Sequence, residues 1–215
     1  MDTLFSADSV LMRGLTRVAD VMILNFLFIL TSLPVLTLGA SLTALNFTAM
    51  RIGTGACNSV TADYLRSFKK NLRQATLLAL ALAGLAAVLA AWHVVLPTLA
   101  PGAEAEVLLM AIWYILAFSL ATTTLFAFPY LASFEGRTRD ILRNALLLSW
   151  RHLLTALATI AIVTLSLGVT IFYPQAIGYG LIWLLFGFAG IAVANGFLFT
   201  RIFSKYIAAS TAGAA

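Results

Sequence analysis

Residues 21–50 read VMILNFLFILTSLPVLTLGASLTALNFTAM, thirty positions without one Lys, Arg, Asp or Glu. About twenty consecutive apolar helical residues match the ~30 Å hydrocarbon thickness of a bilayer, so the run is read as membrane-inserted. Pro34 lies inside it, followed by Thr37, Leu38 and Gly39. Proline removes a backbone donor, and the residue before it avoids helical angles. The run therefore divides into a span over 19–33 and a second helix over 35–50. Sixteen helical residues cover only ~24 Å, which is marginal for a crossing. Arg13 and Arg17 precede the first piece and Arg51 follows the second. Basic flanks on one side imply a hairpin whose second arm is short or re-entrant. One kinked crossing with the N-terminus outside is the alternative.

Three more segments, 74–103, 107–134 and 152–200, lack all four charged residue types. With 215 residues, 62% of them apolar, 10% charged and a mean hydropathy of +1.01, the chain cannot solvate a globular surface. The fold class is all-α, a polytopic transmembrane helix bundle. It is expected to have five full spans plus the short helix after Pro34, and two cytoplasmic amphipathic helices. Residues 1–206 form one membrane domain with spans near 19–33, 74–96, 107–132, 153–172 and 178–200 besides the short 35–50. Residues 207–215, IAASTAGAA, are expected to be a frayed tail. No stretch is left for a soluble catalytic domain.

The net charge of +5 is not scattered. Arg51, Arg66, Lys69, Lys70 and Arg73 lie in one connection and Arg137, Arg139, Arg143 and Arg151 in another. Arg201 and Lys205 follow the last span. The connections at 98–106 and 173–178 hold no basic residue, and the first holds Glu104 and Glu106. This asymmetry is expected to place both termini and the basic connections on the cytoplasmic side. It reads as topology and attraction to the bilayer's anionic headgroups, not as a nucleic-acid site. The lone Cys57 forms no intramolecular disulfide and carries no information on redox compartment.

Residues 1–17 fit an interfacial amphipathic helix. Residues 58–73 form the first cytoplasmic helix and feed directly into the next span. There Ala75, Ala79, Ala83, Ala87 and Ala91 recur every fourth position, a packing stripe that predicts a central helix. Pro97 and Pro101 are expected to end that span outside. The second amphipathic helix, FEGRTRDILRNALLLSW, leads into the span at 153. Ser149-Trp150-Arg151 echoes Ser67-Phe68-Lys69, which fits either an internal duplication or a shared anchoring logic.

Groups able to carry catalysis are sparse. No acidic residue falls deep inside an expected span; Asp20, at the inner mouth of the first, comes nearest and reads as a cap. His93 and His152 sit at opposite boundaries, too far apart to share a metal. No Gly-rich phosphate loop is present. No catalytic, cofactor or metal residue is therefore assigned, and the expected activity is non-enzymatic. The buried polar set includes Asn25, Asn46, Thr122, Thr123 and Asn195, able to line a pathway for a neutral solute or to bridge helices by hydrogen bonds. Two basic-aromatic faces are candidates for partner docking: Phe68, Lys69, Lys70 and Arg73, and Arg139, Arg143, Trp150 and Arg151. Both equally fit anionic headgroups.

The order of motifs resembles the YesL-like family of small bacterial integral membrane proteins of unknown function. The residues that carry it are Asp20 to Asn25 leading into Leu33-Pro34-Val35 and the 37–45 stretch TLGASLTAL, then SFKKNLRQAT at 67–76. Pro129-Tyr130-Leu131-Ala132, Asn144 to Leu148, Arg151-His152-Leu153 and Arg201 to Tyr206 complete it. Family members are often encoded beside carbohydrate importers of the ATP-binding-cassette type. The resemblance therefore implies an accessory subunit that associates with the permease and ATPase subunits of a sugar or oligosaccharide importer. A homo-oligomeric channel for a small neutral solute is the second expectation, and an enzyme on a lipid-linked substrate the third.

Overall fold

The computed structural model describes residues 10–99, 102–173, 175, 178 and 180–212. Among them every regular element is helical. They are α1 (Val10–Ser32), α2 (Leu38–Thr54), α3 (Val60–Leu99), α4 (Ala103–Ser133), α5 (Thr138–Arg151), α6 (Leu153–Phe172) and α7 (Phe188–Ala212). A 3-10 turn, Val35–Thr37, precedes α2, and a π-helical segment, Trp183–Gly187, runs into α7. Six helices are long and apolar enough to cross a bilayer. The all-α membrane bundle expected from the sequence is the observed architecture.

The chain breaks after Ser32, as Pro34 dictates, and hydroxyls close the break. Thr37 Oγ1 donates to the carbonyls of Thr31, at 2.6 Å, and Pro34, at 2.7 Å. Ser41 Oγ donates to Thr31 Oγ1, which lies 2.6 Å from the Tyr64 hydroxyl on α3. A turn in an apolar medium has no water to satisfy its carbonyls, so side chains of neighbouring helices must do it. At the other end of α2, Gly55 takes a left-handed φ of 71°, and the amides of Gly55 and Ala56 bond back to Ile52 and Arg51. That glycine-terminated cap turns the chain into α3.

The helix at the centre is α2, not the 74–96 span that the alanine stripe predicted. Gly39, Ala40, Ser41, Thr43, Ala44, Thr48 and Ala49 are all buried, and α1, α3, α4 and α7 pack around α2. Residues this small on every side let four neighbours approach. Gly39 shows the limit: a β-carbon there would collide with the Ala75 carbonyl oxygen and lie 2.8 Å from the Ala79 β-carbon. The alanine stripe is used only at that contact. Ala75 is buried and Ala79 half-buried, but Ala83, Ala87 and Ala91 are exposed, because no helix reaches them.

The reach of the hairpin follows from the same contacts. Its base is fixed where Arg51 meets Asp63, and its tip where Thr76 Oγ1 donates to the Leu36 carbonyl. From Ala79, α3 continues about 20 residues, or roughly 30 Å, to Leu99. It is accompanied there by α4, whose Trp113 indole donates to the Leu89 carbonyl at 2.8 Å. The arm after Pro34 runs on to Thr54, past the expected end at 50, and with its 3-10 turn it is one of the six stretches long and apolar enough to cross.

Several boundaries differ from the sequence reading. From Val10 the chain is already α1, so the separate interfacial helix survives only as a reading of residues 1–9, which lie outside the described residues. Pro97 does not end α3, which runs on to Leu99; Pro101 lies outside the described residues. At the C-terminus α7 continues as helix to Ala212, beyond the limit of 206; residues 213–215 of the expected tail are outside the description.

Candidate functional site

The basic residues gather at one end of the bundle. In the first turns of α3, Asp63, Tyr64 and Ser67 face inward, while Arg66, Lys69, Lys70 and Arg73 are exposed. Phe68 belongs to the inward set: it packs against both hydrophobic clusters, 6.3 Å from the Tyr64 ring. Its aromatic side is therefore not available for docking, because positions 60, 64, 67 and 68 share the helix face that α2 covers. Asp63, only 5% exposed, accepts a 2.8 Å bond from Arg51 Nε and has Arg66 Nη1 at 3.9 Å. Burial, a hydrogen bond to Asp63 and the charges of Asp63 and Asp20 push the nearby Cys57 thiol up to about 11, against a smaller opposing effect of Arg51.

The second basic stretch lies against the first. Lys70 Nζ pairs with Glu135 Oε1 at 2.6 Å, and Gln74 Nε2 donates to the Gly136 carbonyl at 2.7 Å. The hydrogen bond and charge of Lys70 hold the exposed Glu135 carboxyl below its usual range. Past this joint, α5 folds back on α4. Ile141, Ala145, Leu148 and Ser149 are buried, and Asn144 Nδ2 donates to the Tyr130 hydroxyl at 3.0 Å. Arg139 and Arg143 point outward. Trp150 and Arg151 have internal partners: the Trp150 ring meets Phe118 edge-on, and the Arg151 guanidinium lies 5.7 Å over the Tyr206 ring. His152 Nε2 is 3.0 Å from the Tyr206 hydroxyl. Burial, followed by the charges of Arg151 and Lys205, lowers the imidazole's pKa.

Three ion pairs form among the described residues, and Lys69, Arg73, Arg139 and Arg143 take part in none. Of the eight residues singled out for docking, these four, Lys70 and Arg151 present charge to the outside. No group of His, Cys, Asp and Glu able to hold a metal occurs among the described residues. His93 stacks on Trp113 at 4.4 Å, at the end away from His152.

The polar interior is mostly not a pathway. Asn46, Thr122 and Thr123 bond to carbonyls one turn back on their own helices, at 2.6 to 3.1 Å. None of these bonds bridges two helices, and Asn46 also lines the cavity that holds Asn195. Asn25 does bridge. Its Nδ2 donates to the carbonyls of Trp183, at 2.9 Å, and Leu184, at 2.7 Å, and its Oδ1 accepts from the Ala189 amide at 3.0 Å. These backbone groups belong to the π segment and its exit into α7, where the regular i to i−4 ladder is disturbed. Asn25, fully buried, supplies the missing partners and ties α1 to α7. The wider turn brings Trp183 over Gly187, where a β-carbon would collide with the indole.

Asn195 has no partner for its Oδ1, and Thr159 none for its Oγ1. Both line a cavity of about 270 Å³ among α1, α2, α4, α6 and α7, closed in part by Phe28, Trp183 and Phe188. The sequence reading missed Thr159, Trp183 and Asp63. Thr159 sits in an unbroken apolar run, and the π segment leaves no mark in composition. Asp63 pairs with Arg51 across a turn that spacing alone does not close.

These features define a multi-pass, all-helical membrane protein. Residues 21–91 match the model of a family described as a protein of unknown function, DUF624. YesL-like proteins belong to that family, so the resemblance seen in the sequence holds over this segment, which takes in most of α1, the hairpin and α3 to Ala91. No curated protein and no solved structure matches the chain.

Proposed function

We propose that the protein is a non-enzymatic accessory subunit of a carbohydrate importer in the bacterial inner membrane, with its basic end in the cytoplasm. The observation that carries this reading is the joint between the two basic stretches. Lys70–Glu135 and Gln74–Gly136 hold α3 beside the start of α5, and Lys69, Arg73, Arg139 and Arg143 are exposed on these two joined helices without an ion-pair partner among the described residues. Exposed cations of this kind attract a complementary acidic surface and set the rate of its encounter. The positive-inside asymmetry supports the orientation, and the family resemblance supports the carbohydrate importer.

The test is purification of the tagged protein from its native membrane in mild detergent. Recovery of permease and ATPase subunits in fixed proportion is expected, and their loss from Lys69→Glu/Arg73→Glu while the bundle stays folded. This pair leaves the Lys70–Glu135 bridge intact. Recovery of the protein alone, as a defined oligomer, contradicts the reading and favours the solute facilitator.

A further inference from the structure

We propose that the cavity among α1, α2, α4, α6 and α7 binds a neutral, membrane-dissolved amphiphile through a hydroxyl head placed between Thr159 of α6 and Asn195 of α7. The first ground is an anomaly in the bonding of this chain. Hydroxyls in its helices regularly donate to a carbonyl one turn back, as Thr122, Thr123, Thr124, Ser166, Thr170 and Thr200 do. Thr159, 1% exposed, does not. Neither does the Asn195 carbonyl, on a residue 5% exposed, receive a donor. Thr48 is the one other buried side chain so placed among the described residues, and it does not line the cavity. Buried polar groups without partners are costly, more so where water is scarce.

The second ground is the shape and chemistry of the space. About 270 Å³ is near the lower end of small-molecule sites. Besides Thr159 and Asn195 its polar lining is Asn46 and Thr124, each bonded to a carbonyl of its own helix; the other walls are aliphatic and aromatic, and no charged side chain lines it, so a charged head would be left without a counter-ion. Asn195 Oδ1 needs a donor, and the Thr159 hydroxyl can donate or accept; one alcohol group meets both needs. The third ground is access. Leu167 and Phe188, both of which line the cavity, are 49% and 39% exposed on helices long and apolar enough to cross the bilayer. The opening therefore faces lipid, which selects a ligand delivered by the bilayer. The π segment belongs to the site, since it sets Trp183 and Phe188 in the wall, and Trp183 is pinned by its indole N–H to Thr170 Oγ1 at 2.7 Å.

The test uses the full chain in lipid nanodiscs and a long-chain alcohol carrying a photoreactive diazirine, with the matching fatty acid as the charged control. Saturable adducts on α6 and α7 are expected, displaced by unlabelled hexadecanol and at least tenfold weaker for the fatty acid. Thr159→Val/Asn195→Leu should reduce them at least tenfold, and Ala192→Phe, which fills the cavity, should abolish them. Hexadecanol should also raise the melting temperature of the wild type and leave that of Thr159→Val/Asn195→Leu unchanged. Because that variant removes two unpaired groups, it should be at least as stable as wild type without alcohol, which separates lost binding from lost fold. Adducts that do not saturate, or that survive in Thr159→Val/Asn195→Leu, overturn the proposal. So does labelling no stronger than on the outer face of α3, which would leave water as the occupant.

Discussion

Helix α2 and the far half of α3 are built from the same small apolar residues and meet opposite fates. Gly39, Ala40 and Ala44 are buried among four helices, while Ala83, Gly84, Ala87 and Ala91 lie open. In lipid no hydrophobic force distinguishes them, since hydrocarbon solvates an exposed alanine as well as another helix does. Polar attachments make the difference. The hairpin is fixed by the Thr31, Thr37, Ser41 and Tyr64 hydroxyls, by Arg51–Asp63 and by Asn25, whereas the far half of α3 has one indole bond from Trp113. Small residues permit close packing, and directional bonds decide where it happens.

That contrast can be broken most forcefully at Asn25. Asn25→Leu leaves two carbonyls and an amide of the π segment without partners inside the bundle, a loss of about 3 kcal/mol in reversible detergent unfolding. Next is Gly39→Ala, which drives a β-carbon into the Ala75 carbonyl; backbone there cannot yield, and about 2 kcal/mol is expected to be lost. The matched change in the open region, Ala87→Leu, should stay within about 0.5 kcal/mol of wild type by the same unfolding assay. A large effect there would mean that the far half of α3 is covered in the native membrane.

The basic end offers a finer test through pH. The folded chain holds His152 below its usual pKa, so it favours the neutral ring. As pH falls below 6.5 the unfolded chain takes up a proton that the folded chain does not, and stability drops until the folded pKa is passed. The melting temperature should fall slightly between pH 7.5 and 5.5 in wild type, and less in His152→Gln. Dependence of equal size in both would assign the effect elsewhere.

Much of this arrangement was legible before any coordinates. Runs free of charge marked every long helix, and Pro34 marked the hairpin. What composition could not give was which small-residue face has a neighbour: the alanine stripe of α3 and the mixed small residues of α2 look alike until polar bonds are placed. The docking set divided for a similar reason. Lys69, Arg73, Arg139 and Arg143 lie outward as charge implies, but the apolar Phe68 packs against the core, and Trp150 and Arg151, though exposed, rest their amphipathic side chains on Phe118 and Tyr206. The cavity was half visible, through Asn195, and needed Thr159 from another helix to become a site.

The central claim is that the hairpin turn packs beside Thr76 and Ala79 while α3 continues past it with α4, from which we predict that the turn stays inside the bilayer and that the α3–α4 connection reaches the far side. The chain has one cysteine, Cys57, so Cys57→Ser gives a clean background for single cysteines at Val35 and at Gly102. With a membrane-impermeant thiol reagent applied to intact cells, Gly102→Cys should label readily and Val35→Cys should not, nor should Val35→Cys label in inverted vesicles. Labelling of Val35→Cys from outside at the rate of Gly102→Cys would show that the hairpin crosses fully, and would contradict the account.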